Sequence, residues 1–111
     1  MKIKTSELTG AALDWAVTYA EHGEAAHYVF KHNPGFHHYS TDWSQGGPII
    51  EREGITISKT AHGFWEAYKR PASLRECYQV DATPLIAAMR CYVASKLGDE
   101  AEVPEVLRET T

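Results

Sequence analysis

Apolar residues recur at helical spacing in two stretches, one near each end of the chain. In residues 10–21 the apolar positions lie three or four apart, which predicts an amphipathic helix that begins after Thr9 as its N-cap. In residues 85–97 no helix-breaking residue interrupts the pattern, and Pro84 takes the first helical position after Thr83. The chain is therefore predicted to contain two main helices.

The stretch between these helices favours strands. Residues 55–59 alternate between apolar and polar positions, and residues 64–68 are expected to return after a turn as the antiparallel partner. Residues 76–80 favour a further strand. Two β-prone runs predict a hairpin, namely residues 27–31 and 36–39 around Asn33, Pro34 and Gly35. These elements predict an α+β fold, a small layered domain in which an antiparallel β-sheet packs with the two main helices.

Length and composition fit one domain with a hydrophobic core, since the chain has 111 residues of which 43% are hydrophobic. We expect this domain to span residues 1–98, followed by a solvated acidic C-terminal tail at residues 99–111. The tail accounts for the whole net charge of −4, so the body is neutral and is not expected to bind nucleic acid. No apolar run suits a membrane span and no secretory signal begins the chain, so a cytosolic protein with reduced cysteines is expected.

Residues 41–50 concentrate groups that suit a small ligand in one predicted loop. They combine a carboxylate, an indole, an amide and hydroxyls with a Gly-Gly-Pro turn, as Thr41, Asp42, Trp43, Ser44, Gln45, Gly46, Gly47, Pro48, Ile49 and Ile50. We expect Trp43 to stack on a nucleobase and the backbone N–H groups of Gly46 and Gly47 to bind a pyrophosphate. Asp42 or Gln45 would then hydrogen-bond a ribose hydroxyl or a base edge.

The hypothesis of a ligand-binding loop includes one further residue, Arg90, and it has one structural alternative. Arg90 is predicted to supply positive charge, because it lies in the middle of the second helix among apolar neighbours, where an unpaired guanidinium would be costly. Pro48 is expected to begin a helical turn whose free N–H groups offer an anion site to the loop. In the alternative, residues 41–50 form a structural turn in which Trp43 fills the core and Asp42 is a cap. The segment contains neither a Walker phosphate loop nor a dinucleotide-binding fingerprint.

Five of the six histidines cluster in the first half of the chain, as His22, His27, His32, His37 and His38. A metal site would need neutral imidazoles with a carboxylate such as Glu24, but the spacings match no established ligand motif. No nucleophile elbow, Cys–His motif or carboxylate pair indicates catalysis either. The sequence therefore predicts a protein without enzymatic activity, metal or cofactor, and leaves a metal-dependent nucleotide hydrolase as an alternative.

Three blocks of the chain resemble the NinX family of tailed phages, namely residues 1–17, 40–55 and 83–98. The Asp-Trp-Ser-Gln-Gly-Gly-Pro run at residues 42–48 is the most specific of these motifs. The resemblance implies a small phage protein that acts in the cytoplasm of the host bacterium. It implies no particular chemistry.

These observations favour a phage protein that binds and sequesters a nucleotide-derived small molecule. By analogy with other phage proteins that bind signals, the expected target is a host immune signal of the cyclic-nucleotide or cyclic ADP-ribose type, which would make the protein an anti-defence factor. We expect a homo-oligomer, because small domains commonly build shared pockets in symmetric assemblies. The alternative from another class is a protein-interaction module that inhibits a host or phage enzyme through its aromatic surface and acidic tail.

Overall fold

Two short antiparallel sheets and five helices make up the computed structural model, which describes residues 1–32, 37–70 and 77–108. The elements follow in the order β1 (Lys2–Lys4), α1 (Gly10–His22), α2 (Ala26–His32), α3 (Trp43–Glu53), β2 (Ile55–Lys59), β3 (Trp65–Lys69), β4 (Gln79–Asp81), α4 (Pro84–Leu97), β5 (Glu100–Glu102) and α5 (Glu105–Arg108). The sheets have the strand orders β1-β5 and β2-β3-β4. The predicted α+β class is confirmed. Of the helices in the described part of the chain, none has the length and apolar character to cross a membrane.

Helix α4 is the central element because it is apolar on almost every side. All its residues from Leu85 to Ala94 are buried except Ile86, which is partly buried. The helix contacts all three strands of the larger sheet and also α1 and α3. Pro84 occupies the first turn after Thr83, as predicted, and Gly98 ends the helix with a positive φ of 89°.

The larger sheet confirms the predicted pair of strands. Strand β2 pairs with β3 in antiparallel register, from Ile55 opposite Lys69 to Lys59 opposite Trp65. The third strand, β4, begins at Gln79, so the strand predicted over residues 76–80 is shifted toward the C-terminus. Ala67 in the central strand has no exposed surface, which fits the close packing of α4 against this sheet.

The N-terminal helix is also confirmed, and its apolar face lies in the core. Leu13, Ala16 and Val17 are fully buried, as the spacing of residues 10–21 predicts. Thr9 occupies the N-cap position with an extended backbone but makes no side-chain capping hydrogen bond. Gly23 follows the helix with a φ of 60°, a left-handed conformation that glycine adopts without strain.

The predicted hairpin over residues 27–39 is wrong, because its first half is helix α2. Ala26 is fully buried and Phe30, four residues later, packs edge-on against Trp15 with a centroid distance of 5.5 Å. This spacing of four suits a helix that lies on α1, and packing therefore outweighs the β propensity of the run. The turn predicted at residues 33–35 lies outside the described residues.

The first residues of the acidic segment after Gly98 are part of the fold. Strand β5 pairs with β1, with Ile3 opposite Ala101, and the backbone N–H of Val103 donates to the carbonyl of Met1 at 2.8 Å. Ala101 and Val103 are 3% and 1% exposed, so the start of the segment contributes side chains to the core. Glu100 and Glu102 are exposed and alternate with these two buried residues along the chain, which explains how an acidic strand can pack on the domain.

Candidate functional site

Residues 41–50 do not form the predicted loop, because α3 begins at Trp43 and runs through the segment. The Asp42 side chain is the cap: its Oδ1 accepts hydrogen bonds from the backbone N–H and the hydroxyl of Ser44, at 2.9 and 2.6 Å. The Ser44 hydroxyl and N–H hold the pKa of Asp42 below its usual range. The carboxylate of Asp42 therefore occupies the N-terminus of α3, the part of a helix that would otherwise suit an anion.

The two glycines lie inside α3 and do not form an anion-binding nest. The N–H of Gly46 donates to the carbonyl of Asp42 at 3.0 Å, and neither Gly46 nor Gly47 has a positive φ. A Cβ atom at Gly46 would lie 2.5 Å from the carbonyl oxygen of Tyr39 and 2.7 Å from Cδ1 of Leu85. Gly46 is thus required for the close approach of α3 to its neighbours. Pro48, predicted to begin the helix, lies in its interior.

The remaining predicted ligand residues divide between the surface and the core. Trp43 is 52% exposed, and Thr41 and Ser44 are exposed beside it, so Trp43 does not fill the core. Ile49 is 2% exposed and belongs to the core, while the Gln45 side chain accepts a hydrogen bond from the backbone N–H of His38 at 2.9 Å. The indole of Trp43 is therefore available for stacking, whereas the groups predicted around it make structural contacts.

Arg90 is bound within the fold. Its Nε donates to the carbonyl of Leu8 at 2.7 Å, and its Nη1 donates to the carbonyl of Val80 and to Oδ1 of Asp81, each at 3.1 Å. These bonds hold the side chain of a residue that is only 9% exposed. Arg90 needs a partner, as expected, and the fold supplies it from β4 and from the segment before α1.

His27 and His37 pack against different aromatic rings, and α2 replaces the first half of the predicted hairpin. His27 packs on Trp15 at a centroid distance of 4.6 Å, and His37 stacks on Phe30 at 4.7 Å while its Nε2 lies 3.0 Å from the carbonyl of Val29. Within residues 1–32, 37–70 and 77–108, no three His, Cys, Asp or Glu side chains are grouped to hold a metal ion. The described residues therefore give no support to the metal-dependent hydrolase.

A buried polar cluster that the sequence did not indicate links α1 to the segment before α3. Asp14 is 6% exposed and its Oδ1 accepts the backbone N–H of Ser40 at 2.9 Å. Burial raises the pKa of Asp14, although the hydrogen bond from Ser40 opposes this effect. Nδ1 of His37 and the hydroxyl oxygen of Ser40 are buried without a partner in the described structure. Asp14, His37 and Ser40 are the residue types of a catalytic triad, but the bond from nucleophile to base that such a triad requires is not made.

A cavity of about 560 Å³ opens between α1, the turn before α2, and β5; we call it the Trp15 cavity. Trp15 is 3% exposed and its indole N–H donates to the carbonyl of Glu102 at 3.0 Å. Tyr19 lies one turn along α1, with its ring 6.3 Å from that of Trp15, and its hydroxyl donates to Glu24 at 3.2 Å. The Glu24 carboxylate raises the pKa of Tyr19. Together with His27, these rings give the cavity aromatic walls.

The residues that line this cavity come from elements that the sequence does not place together. Trp15 and Tyr19 are four residues apart beside the apolar stripe of α1, which was the one available signal. His27 was assigned to a strand, and the glutamates of β5 were assigned to a solvated tail. The cavity exists because β5 returns to β1 and places the acidic segment beside α1.

The comparison with known families agrees with the resemblance noted in the sequence. The family model described as "Bacteriophage P22, NinX" matches residues 4–96, a span that includes α1, α3 and nearly all of α4. No curated protein matches the chain. Because the match covers most of the sequence, the chain belongs to the NinX family of bacteriophage proteins.

Proposed function

We propose that this phage protein acts by binding, and that it sequesters a small molecule in the Trp15 cavity. The observation that carries this proposal is the cavity itself. Its volume of about 560 Å³ falls in the range of roughly 300–1,000 Å³ typical of small-molecule sites, and its lining combines aromatic and apolar residues with a few charged ones. The proposed place of action is the cytoplasm of the host bacterium.

Catalysis finds little support in the described residues. The Ser40 hydroxyl is buried and is not bonded to a base. Cys77 and Cys91 are both buried, and burial raises the pKa of the Cys91 thiol, which keeps that thiol protonated at neutral pH. A binding role uses the cavity without requiring an activated nucleophile.

A ligand panel with matched histidine variants tests the proposal. Thermal unfolding and tryptophan fluorescence would be measured with nucleotides, amines, amino acids and sugars. His27→Ala removes an exposed wall of the cavity and should weaken binding by about two- to tenfold, while His22→Ala, an exposed histidine outside the cavity, should not. Equal affinity of both variants for every bound ligand would place the site elsewhere and overturn the proposal.

Sequestration of a nucleotide-derived immune signal is the second candidate, and the exposure of Trp43 favours it. An indole that is 52% exposed can stack on a base, even though Asp42 already caps the helix beside it. If this candidate is correct, cyclic nucleotides or cyclic ADP-ribose will bind and be released intact on heating. Trp43→Ala should then cost about 1–3 kcal/mol of binding free energy. Failure of all these signals to bind would exclude the anti-defence mechanism in this form.

A further inference from the structure

Strand β2 is an open edge of the larger sheet. In the strand order β2-β3-β4 it has β3 as its neighbour on one side, and no strand in the described part of the chain pairs with its other side. An open edge presents a row of backbone N–H and C=O groups that can pair with another strand. The fold therefore offers a place where a further strand can be added to the sheet.

The hydrogen bonds at the β2–β3 turn identify the backbone groups that face outward. The N–H of Thr60 donates to the carbonyl of Phe64 at 2.7 Å, so the backbone of Thr60 faces β3. Backbone groups alternate between the two sides of a strand, so three residues of β2 direct theirs away from β3, namely Ile55, Ile57 and Lys59. Within residues 1–32, 37–70 and 77–108, none of the three makes a backbone hydrogen bond to an element other than β3.

The opposite edge of the sheet is protected, whereas β2 is not. Strand β4 has three residues, and the outward carbonyl of Val80 accepts Nη1 of Arg90 at 3.1 Å. Strand β2 has five residues in continuous register, contains no proline, and carries its one charge on its last residue, Lys59. Short length, bulges, prolines and central charges are the features that keep natural edge strands from pairing. Residues 55–58 have none of them.

The sequence of β2 is complementary to itself in one antiparallel register. When the register is centred on Ile57, this residue pairs with Ile57 of a second copy and Ile55 pairs with Lys59, and each pair exchanges two backbone hydrogen bonds. On the other face of the sheet, Thr56 lies opposite Ser58, a hydroxyl pair of the kind that stabilises sheets. No two like charges lie opposite each other. All three outward residues therefore find partners in a second copy.

We propose that β2 is a homodimer interface, through which two copies of the chain join their three-stranded sheets into one continuous sheet across a two-fold axis. The same surface serves both copies, as a two-fold interface requires. A second copy is the occupant that the register selects, because it satisfies every outward backbone group without opposing charges. No residue of β2 lines the Trp15 cavity, so this inference is independent of the proposed binding function.

Sedimentation velocity of the full chain at increasing concentrations tests the interface. The parent chain should form a dimer. The double variant Thr56→Lys, Ser58→Lys places lysines directly opposite each other in the proposed register and should weaken dimerisation at least about fivefold. The matched double variant Ser6→Lys, Ala61→Lys adds the same charge at exposed positions outside β2 and should dimerise like the parent. Unfolding free energies of both variants confirm that each one is folded.

Disulfide trapping tests the register. Directly opposite residues have Cβ atoms about 4.5–5.5 Å apart, close to the spacing that a disulfide needs. A mixture of Thr56→Cys and Ser58→Cys chains should therefore form a disulfide between copies faster than either variant alone. The native Cys77 and Cys91 are buried, and the parent chain provides the control for them.

Three results would overturn the proposal. A parent chain that stays monomeric up to its solubility limit would leave β2 without a second copy. A dimer that tolerates the lysines at positions 56 and 58 as well as those at positions 6 and 61 would place the interface on another surface. A dimer in which the mixed cysteine variants are trapped no faster than either variant alone would contradict the register centred on Ile57.

Discussion

Adjacent glycines in α3 have different surroundings, and this difference can be measured. A Cβ atom at position 46 would overlap the backbone oxygen of Tyr39, whereas a Cβ atom at position 47 meets no heavy atom within 4 Å. Gly46→Ala should therefore destabilise the fold by about 1–3 kcal/mol. Gly47→Ala should stabilise it by up to about 1 kcal/mol, because alanine favours the helix interior. Urea unfolding of both variants measures the two free energies, and equal effects would contradict the packing of α3 described above.

Arg90 offers a second residue-scale prediction that separates a structural role from a ligand-binding role. Arg90→Lys keeps the positive charge but cannot reach Leu8, Val80 and Asp81 together, as the guanidinium does. We expect the free energy of unfolding to fall by about 1–3 kcal/mol. The affinity for any nucleotide should stay unchanged. A variant of normal stability that has lost nucleotide binding would instead support the role that the sequence suggested.

At the scale of elements, the C-terminal end of α3 joins three neighbours through ion pairs. Glu53 lies 2.9 Å from Lys69 of β3, 2.9 Å from Arg52 and 3.5 Å from Lys96 of α4. Arg52 also binds both carboxylate oxygens of Glu21 on α1, at 3.1 and 2.7 Å. The pairs therefore connect the larger sheet, α1 and α4 around the end of α3.

These ion pairs predict a loss of stability in acid. The Lys69 hydrogen bond lowers the pKa of Glu53 to about 2 from the ordinary 4.5, so the folded state binds fewer protons than the unfolded state between these values. The stabilisation is complete above pH 4.5 and is lost as the pH falls toward 2. Asp14 has the opposite effect on stability in acid. Burial raises its pKa, so protonation of Asp14 favours the folded state.

Glu53→Gln tests this prediction. The variant should be less stable than the parent at pH 7, and its free energy of unfolding should change less between pH 4.5 and pH 2. Glu51→Gln, at an exposed position of the same helix, is the control and should follow the parent curve. Urea titrations at several pH values give both curves. Parallel curves for Glu53→Gln and the parent would show that the ion pairs contribute nothing to folding.

The elements also show which parts of the fold a single sequence can predict. Helices α1 and α4 and the pair β2–β3 were predicted because their patterns are long and agree with their burial. Helices α2 and α3 were missed for two physical reasons. The β-prone residues of α2 pack on Trp15 with helical spacing, and the Gly-Gly-Pro run of α3 is held in a helix by the Asp42 cap and by close contact with Leu85. The contact of α2 with Trp15 and that of Gly46 with Leu85 are distant in sequence, so a local pattern does not contain them.

At the scale of the whole molecule, the Trp15 cavity brings together residues from the two ends of the chain. Trp15 and Glu102 are 87 positions apart and share a hydrogen bond. Local patterns contain no information about such a contact, so the sequence pointed to the compact motif around Trp43.

Homo-oligomerisation stays a prediction, and sedimentation velocity at several concentrations would test it.

The last prediction concerns whether the acidic segment after Gly98 completes the domain. Val103 follows β5 and is 1% exposed, whereas Val106 on α5 is 71% exposed. Val103→Asp would bury a charge where the segment meets the core, and it should cost more than about 3 kcal/mol or prevent folding. Val106→Asp makes the same chemical change on the surface and should alter stability by less than about 0.5 kcal/mol. Because the Trp15 cavity is lined by β5, a tolerated Val103→Asp would mean that the segment does not close the cavity in solution. A large difference between the two variants would instead place residues 99–103 within the folded domain.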